Sequence, residues 1–201
     1  MVSVPGRDVV SRWTERDVGP GERSVASWSG YEDGGAAAAD GRYAFRVGPR
    51  GGVERPGGRF QLHGHAFPVD GAHGTRGEIG EFGADRVGGR RHEGFDVTAP
   101  CGTPLRAARG GRVERRGYDP ELYGNFLQID ARRSRFDLFY AHLREPAAPG
   151  LGEKVKTAAR VGEIGITGNA YATPCHLHFE MRIDGRPIDP KPHLRHWDSY
   201  S

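Results

Sequence analysis

Long apolar runs are missing from this sequence. No stretch of its 201 residues approaches the roughly 20 apolar residues that a membrane-spanning helix needs. Residues 1–20 hold no hydrophobic core of a signal peptide, so, read literally, the chain has neither a transmembrane segment nor an export leader. Charge of one sign is also scarce. Lys and Arg number 29 against 26 Asp and Glu, a net charge of +3 with a pI near 9.0, too weak a bias to argue for a nucleic-acid partner. It suits an anionic polymer such as a cell wall, and a mixed solvated surface equally well. No run of 12 or more residues carries a helical apolar period, and no internal repeat is found. The sequence has no His-Glu-x-x-His, which excludes a glutamate base carried on a metal-binding helix. Cysteines number only two, Cys101 and Cys175. Glycine and proline, by contrast, are plentiful at 32 and 14 residues. Such a composition favours short strands joined by tight turns, hence an all-β, β-rich fold.

Along the chain, residues 1–23 are polar and interrupted, with one alternating piece near Val9 to Trp13. Tyr43, Phe45 and Val47 alternate with Ala44 and Arg46 behind Asp40-Gly41, which predicts a half-buried strand entered through a turn. Trp28-Ser29-Gly30, an acidic glycine loop and residues 40–46 together resemble the last hairpin of the immunoglobulin-like domains of bacterial flagellar-hook-capping and surface proteins. The expected organisation is a partial Ig-like β segment over 1–50, a Gly/Pro/Arg-rich linker over 51–59 and a second domain over 60–196. Strands are expected there at 60–69, 94–98, 104–116, 125–131, 136–143, 161–165 and 177–183.

The second domain carries the histidines. His176 and His178 stand at alternate positions in a strand-like run, so both imidazoles share one face while Leu177 and Phe179 point to a core. A pair of exposed histidines on a hairpin is the competing reading. His92 and Asp96, four apart across Gly94, enter another strand through a bend that lets both side chains meet. With His178 they make two imidazoles and a carboxylate. Three protein ligands with a fourth position left to water is the arrangement of catalytic zinc, whereas structural zinc takes four ligands, commonly with cysteines. His142 and His176 remain as bases beside the metal, which the chemistry needs because zinc-bound water must give up a proton to attack a carbonyl.

His92-x-x-x-Asp96, Tyr140-Ala141-His142-Leu143 and His176-Leu177-His178-Phe179-Glu180 resemble the motifs of the lysostaphin/LytM-type zinc metallopeptidases, peptidase family M23. Phe67-Pro68-Val69, the stretch from Gly94 to Pro104, Ala107 to Val113, Val161 to Gly168 and Asp189-Pro190 follow the same order. The resemblance implies an antiparallel β-sheet domain with one Zn2+ per chain, held by His92, Asp96 and His178. His142 and His176 would handle the proton and the developing oxyanion. It further implies a zinc endopeptidase that hydrolyses peptide cross-links of bacterial peptidoglycan, with peptidoglycan peptides as its substrate partner. The alternative is a non-catalytic LytM-like regulator or wall-binding module. The segment Phe82 to Arg86 lacks the tyrosine that relatives often carry before the first ligand. Arg86 is either a substitute oxyanion donor or a surface residue.

Other residues carry open readings. Glu180 either orients His178 or sits on an exposed strand face. His63-Gly64-His65 has no carboxylate nearby and is read as non-metal; His73, His193 and His196 read as surface or core-edge residues. If the two ligand-bearing strands converge, Cys101 and Cys175 come close and are expected to form a disulfide, against an extra ligand at Cys175 or two free thiols as alternatives. A disulfide implies an extracellular or cell-envelope location, with the true start upstream of Met1 or another export route. A monomer is expected.

Overall fold

The computed structural model describes residues 2–3, 9–14, 19, 21–23, 25–34, 38–131 and 136–201. The chain divides into two compact units, Met1–Gly64 and His65–Ser201.

In the first unit the strands β1 (Val2–Ser3), β2 (Val9–Ser11), β3 (Gly41–Val47) and β4 (Arg55–Leu62) pair antiparallel in the order β2-β1-β3-β4. The expected strand at 43–47 is β3, but its hairpin partner is β4, not the segment at Trp28. A turn at 49–52 explains this: Gly52 N–H donates to the Pro49 carbonyl at 3.0 Å, and Gly51 takes a φ of 73° that favours glycine. The Gly/Pro-rich stretch therefore reverses the chain, and the expected linker at 51–59 is largely strand. Pro56 is tolerated there because β4 is an edge strand. Trp28 contributes its ring to a small aromatic cluster, 5.2 Å from Tyr43 and 5.9 Å from Phe60. Among the described residues this unit is one small sheet, whereas an immunoglobulin-like domain packs two; the Ig-like expectation gains no support.

The second unit contains β5 (Gly74–Thr75), β6 (Phe95–Thr98), β7 (Pro104–Arg106), β8 (Gly111–Asp119), β9 (Gly124–Ala131), β10 (Phe136–Leu143), β11 (Lys154–Val155), β12 (Arg160–Glu163), β13 (His176–Ile183), β14 (Arg186–Ile188) and helix α1 (Lys191–Asp198). Eight of these strands form one antiparallel sheet, β11-β8-β9-β10-β13-β6-β5 with β14 also on β13, and β12 pairs with β7. The all-β, antiparallel expectation holds. Part of the expected strand at 60–69 belongs to β4 instead, and beyond it only Val69 makes a bridge, to Leu105. The expected 104–116 strand breaks into β7 and β8. Between them Ala107 N–H donates to the Ala159 carbonyl, leaving the ladder.

β13 organises the unit. Leu177, Phe179 and Met181 are completely buried and join Leu138, Tyr140, Leu127 and Ile129 in the core. Burial of side chains this size contributes about 1.5–3 kcal/mol each. The alternate residues His176, His178 and Glu180 lie on the other face and are buried too. Helix α1 adds Leu194 and Trp197 to the core. At eight residues it is too short to show in a 12-residue period.

Candidate metal centre

β13 lies between β10 and β6, pairing His178 with Ala141 on one side and with Asp96 on the other. That register brings three distant segments to one point. His92 Nε2 lies 2.8 Å from His178 Nδ1 and 3.0 Å from Asp96 Oδ1, and His178 Nδ1 lies 3.1 Å from Asp96 Oδ1. Among the described residues, this is the group of side chains that can hold a metal ion, and all three residues are buried. Its donors suit zinc: two imidazole nitrogens and a carboxylate oxygen, nearly equidistant, for an ion whose bonds of about 2.0–2.2 Å place tetrahedral ligands roughly 3.3 Å apart.

The local chain explains how His92 and Asp96 meet. Gly94 passes under β13 so closely that a Cβ there would lie 2.5 Å from the Phe179 carbonyl oxygen and 2.8 Å from His178 Cε1. Only glycine allows that approach. The His92 loop is strapped by the bonds His92 N–H to Ala84 O at 2.9 Å and Gly83 N–H to His92 O at 2.8 Å. A carbonyl can only accept, so the 2.8 Å contact of His92 Nδ1 with the Glu81 carbonyl puts the ring proton on Nδ1 and leaves the Nε2 lone pair for a metal. Lys191 of α1 grips both Glu81 carboxylate oxygens at 2.6 Å, steadying that segment.

Glu180 is fully buried and accepts from His178 Nε2 at 2.9 Å and from Arg182 Nε at 2.7 Å. It therefore orients His178 and keeps Nδ1 directed at the metal position, which decides between the two readings of this residue. Burial pulls the His178 pKa down, but its hydrogen bonds to Asp96 and Glu180 outweigh this and raise it to about 9. Burial works against the Asp96 carboxylate, yet the hydrogen bond from His178 and the charge of that ring hold its pKa far below the usual carboxylate range.

The other two imidazoles face the same cleft. His142 has a left-handed φ of 63° where the β10–β9 register slips between Tyr140 and Leu143. The bulge turns its side chain out of strand alternation toward the site. His142 Nδ1 donates to the Thr167 carbonyl at 2.8 Å, and His176 Nδ1 donates to the Pro174 carbonyl at 2.8 Å, so both present an unprotonated Nε2. Burial first, then the charges of His178 and His176, lower the His142 pKa to about 3; burial also lowers that of His176. Both rings are neutral at physiological pH and able to accept a proton. Their centroids are 5.0 Å apart, and His142 lies 5.9 Å from His178.

A cleft of about 330 Å3 opens over these residues. Arg86 lies in its wall, 3.7 Å from Asp96 Oδ2 and 21% exposed, so it is not a free surface residue. Several lining residues escaped sequence reading, among them Arg76, Tyr123 and Asn169. Arg76 sits 3.1 Å from Asp96 Oδ2, the Tyr123 ring lies tilted 6.1 Å from His178, and Asn169 lies in the turn after Thr167. Burial raises the Tyr123 pKa, helped by Glu180 and Glu93. No motif marks them, although Tyr123 lies in the β8–β9 turn.

The remaining expected residues lie elsewhere. His65 stacks on Trp197 at 4.8 Å. His73 stacks on Phe67 at 4.1 Å and pairs with Asp198 at 3.3 Å. His193 packs against Phe136 and Trp197, His196 against Tyr200, and His63 is exposed. Cys101 and Cys175 form a disulfide with Cα atoms 5.3 Å apart across a separation of 74 residues. It ties the chain after β6 to the chain entering β13, the two strands that carry Asp96 and His178.

Comparison with known proteins agrees with this geometry. The DD-carboxypeptidase/endopeptidase Mpg of Neisseria meningitidis serogroup B is 37% identical over 101 residues, 50% of this chain and 22% of that protein. The peptidoglycan DD-endopeptidase ShyC of Vibrio cholerae serotype O1 is 34% identical over 102 residues, 51% of this chain and 22% of that protein. The chain thus spans about a fifth of the length of these curated relatives. A crystal structure of a zinc-containing peptidase from Vibrio cholerae superposes with a TM-score of 0.55 at 28% identity, covering 74% of this chain and 45% of that one. The family model of peptidase family M23 matches residues 90–190, half of the chain and the whole of the three-strand arrangement around His92, Asp96 and His178. The chain belongs to peptidase family M23.

Proposed function

We propose that this chain is a zinc endopeptidase that hydrolyses peptide cross-links in bacterial peptidoglycan, with one Zn2+ held by His92, Asp96 and His178. The observation that carries the reading is the convergence of these three donors within 3.1 Å of one another, beside two neutral imidazoles on a single open cleft. Bound zinc would polarise the scissile carbonyl and bring the pKa of a water to about 7. His142 and His176, each with Nε2 unprotonated, take up the proton of the attacking water and return it to the leaving amine. Both are locked by backbone carbonyls, so neither ring must reorient during the reaction. Asp96 and Glu180 hold His178 from its two nitrogens and keep it in one tautomer. The name of one curated relative, the peptidoglycan DD-endopeptidase of Vibrio cholerae, supports a peptidoglycan substrate, and the disulfide supports an extracellular or cell-envelope location. The N-terminal unit serves as a spacer or wall-facing module, and the protein acts as a monomer.

Digestion of purified sacculi, followed by mass spectrometry of the released muropeptides, tests the reading. Expected is the loss of cross-linked dimers, abolished by chelation and restored by zinc. An intact dimer pool after treatment with protein carrying one equivalent of zinc would overturn it.

A further inference from the structure

The metal cleft is lined by four arginines, Arg76, Arg86, Arg90 and Arg91. Arg76 and Arg86 are only 20% and 21% exposed, and both approach the same oxygen, Asp96 Oδ2. Arg86 and Arg90 flank a turn closed by Arg86 N–H to Arg90 O at 3.0 Å, with Gly88 and Gly89 at φ of 80° and 74°. Arg91 is already held by Asp85 at 2.8 Å, whereas the Arg90 side chain has no hydrogen bond or ion pair among the described residues. The acids in the same lining are committed elsewhere. Glu180 serves His178 and Arg182, Glu93 faces Arg182 at 3.6 Å, and Asp96 belongs to the metal set.

The chain thus leaves a surplus of positive charge around the cleft, half-buried at Arg76 and Arg86 and exposed at Arg90 and Arg91 at its mouth, and a divalent cation at Asp96 would enlarge it. Crowded, partly desolvated guanidinium groups are costly unless an anion joins them. The planar donor fork of a guanidinium matches a carboxylate in a bidentate pair.

We propose that Arg86 and Arg90, backed by Arg76, form a carboxylate-binding subsite beside the metal centre, so that the preferred substrate is a peptide carrying a free carboxylate next to the scissile bond. This rests on the peptidase reading and specifies its substrate class.

The test uses zinc-loaded protein and a pair of synthetic stem-peptide dimers that differ only in a terminal carboxylate or carboxamide. The expected result is a kcat/KM at least about tenfold higher for the acid, with the difference in KM. In Arg90→Gln, which touches no zinc ligand, and in Arg86→Gln the ratio should fall toward one. An equal kcat/KM for both peptides in the wild type, or an unchanged ratio in Arg90→Gln, overturns the assignment. If neither peptide is cleaved, the peptidase reading fails, and calorimetric binding of the same pair decides the subsite separately. About tenfold tighter binding of the acid supports it; equal or absent binding overturns it.

Discussion

Replacing Glu180 with glutamine tests how the ligand set is oriented. In the native protein both Glu180 oxygens accept, one from His178 Nε2 at 2.9 Å and the other from Arg182 at 2.7 Å. A carboxylate can do this because it is acceptor-only at both oxygens. Glutamine has one acceptor and one donor, so it must fail one partner. If its oxygen keeps His178, the amide group faces the Arg182 donors. If its oxygen turns to Arg182, the amide donates to His178 Nε2 and drives the ring proton onto Nδ1, the atom aimed at His92 and Asp96. Either arrangement weakens the metal site while preserving shape. Substitutions behind metal-ligating histidines typically reduce affinity 10–100-fold, or about 1.4–2.7 kcal/mol. Competition for zinc against a chelator of known affinity measures the effect, and urea unfolding of the zinc-free variant separates it from a general loss of fold. The fold itself should lose about 1.5–3 kcal/mol, the worth of a hydrogen bond to a charged group. Zinc affinity within about threefold of wild type would refute the orienting role, because the weakest effect expected is tenfold.

Three further outcomes are expected. His142→Ala should lose turnover by about 10²–10⁴-fold while retaining one zinc; full turnover, or loss of zinc, would contradict the proton-carrying role proposed for it. Removing the disulfide by Cys101→Ser with Cys175→Ser should cost up to about 4 kcal/mol in urea unfolding, the chain-entropy value for a loop of 74 residues, and an unchanged midpoint would argue against that account. Finally, stability of the metal-free protein should peak near the unfolded histidine pKa of about 6.5. Below it, His142 stays neutral in the fold down to about 3 while the unfolded chain binds the proton, so stability falls as pH drops. Above it, His178 keeps its proton up to about 9 while the unfolded chain releases it, so stability falls as pH rises. Urea midpoints measured in chelator from pH 5 to 9 check both arms, and a steady rise from 6.5 to 9 would contradict the second.

Much of the site was legible in the sequence because strand geometry has a period of two. Residues 176–180 alternate, so His176, His178 and Glu180 had to share a face opposite Leu177 and Phe179, and they do. The placement of Cys101 after Asp96 and Cys175 before His176 likewise followed from strand convergence, and the two cysteines are joined. Other features left no local trace. His142 reaches the cleft at a bulge where β10 slips in register against the preceding strand β9, a slip no residue type marks. The tautomers of His92, His142 and His176 depend on the carbonyls of Glu81, Thr167 and Pro174, groups that every residue type carries. Arg76 and Arg86 meet at Asp96 only because the long connection between β5 and β6 folds back over the cleft. The first part of β4, residues 55–59, reads as linker by composition and became strand through the edge of β3. Local period determined which faces the functional side chains occupy, and long-range pairing decided what those faces meet, since backbone hydrogen bonds between distant strands are indifferent to side-chain identity.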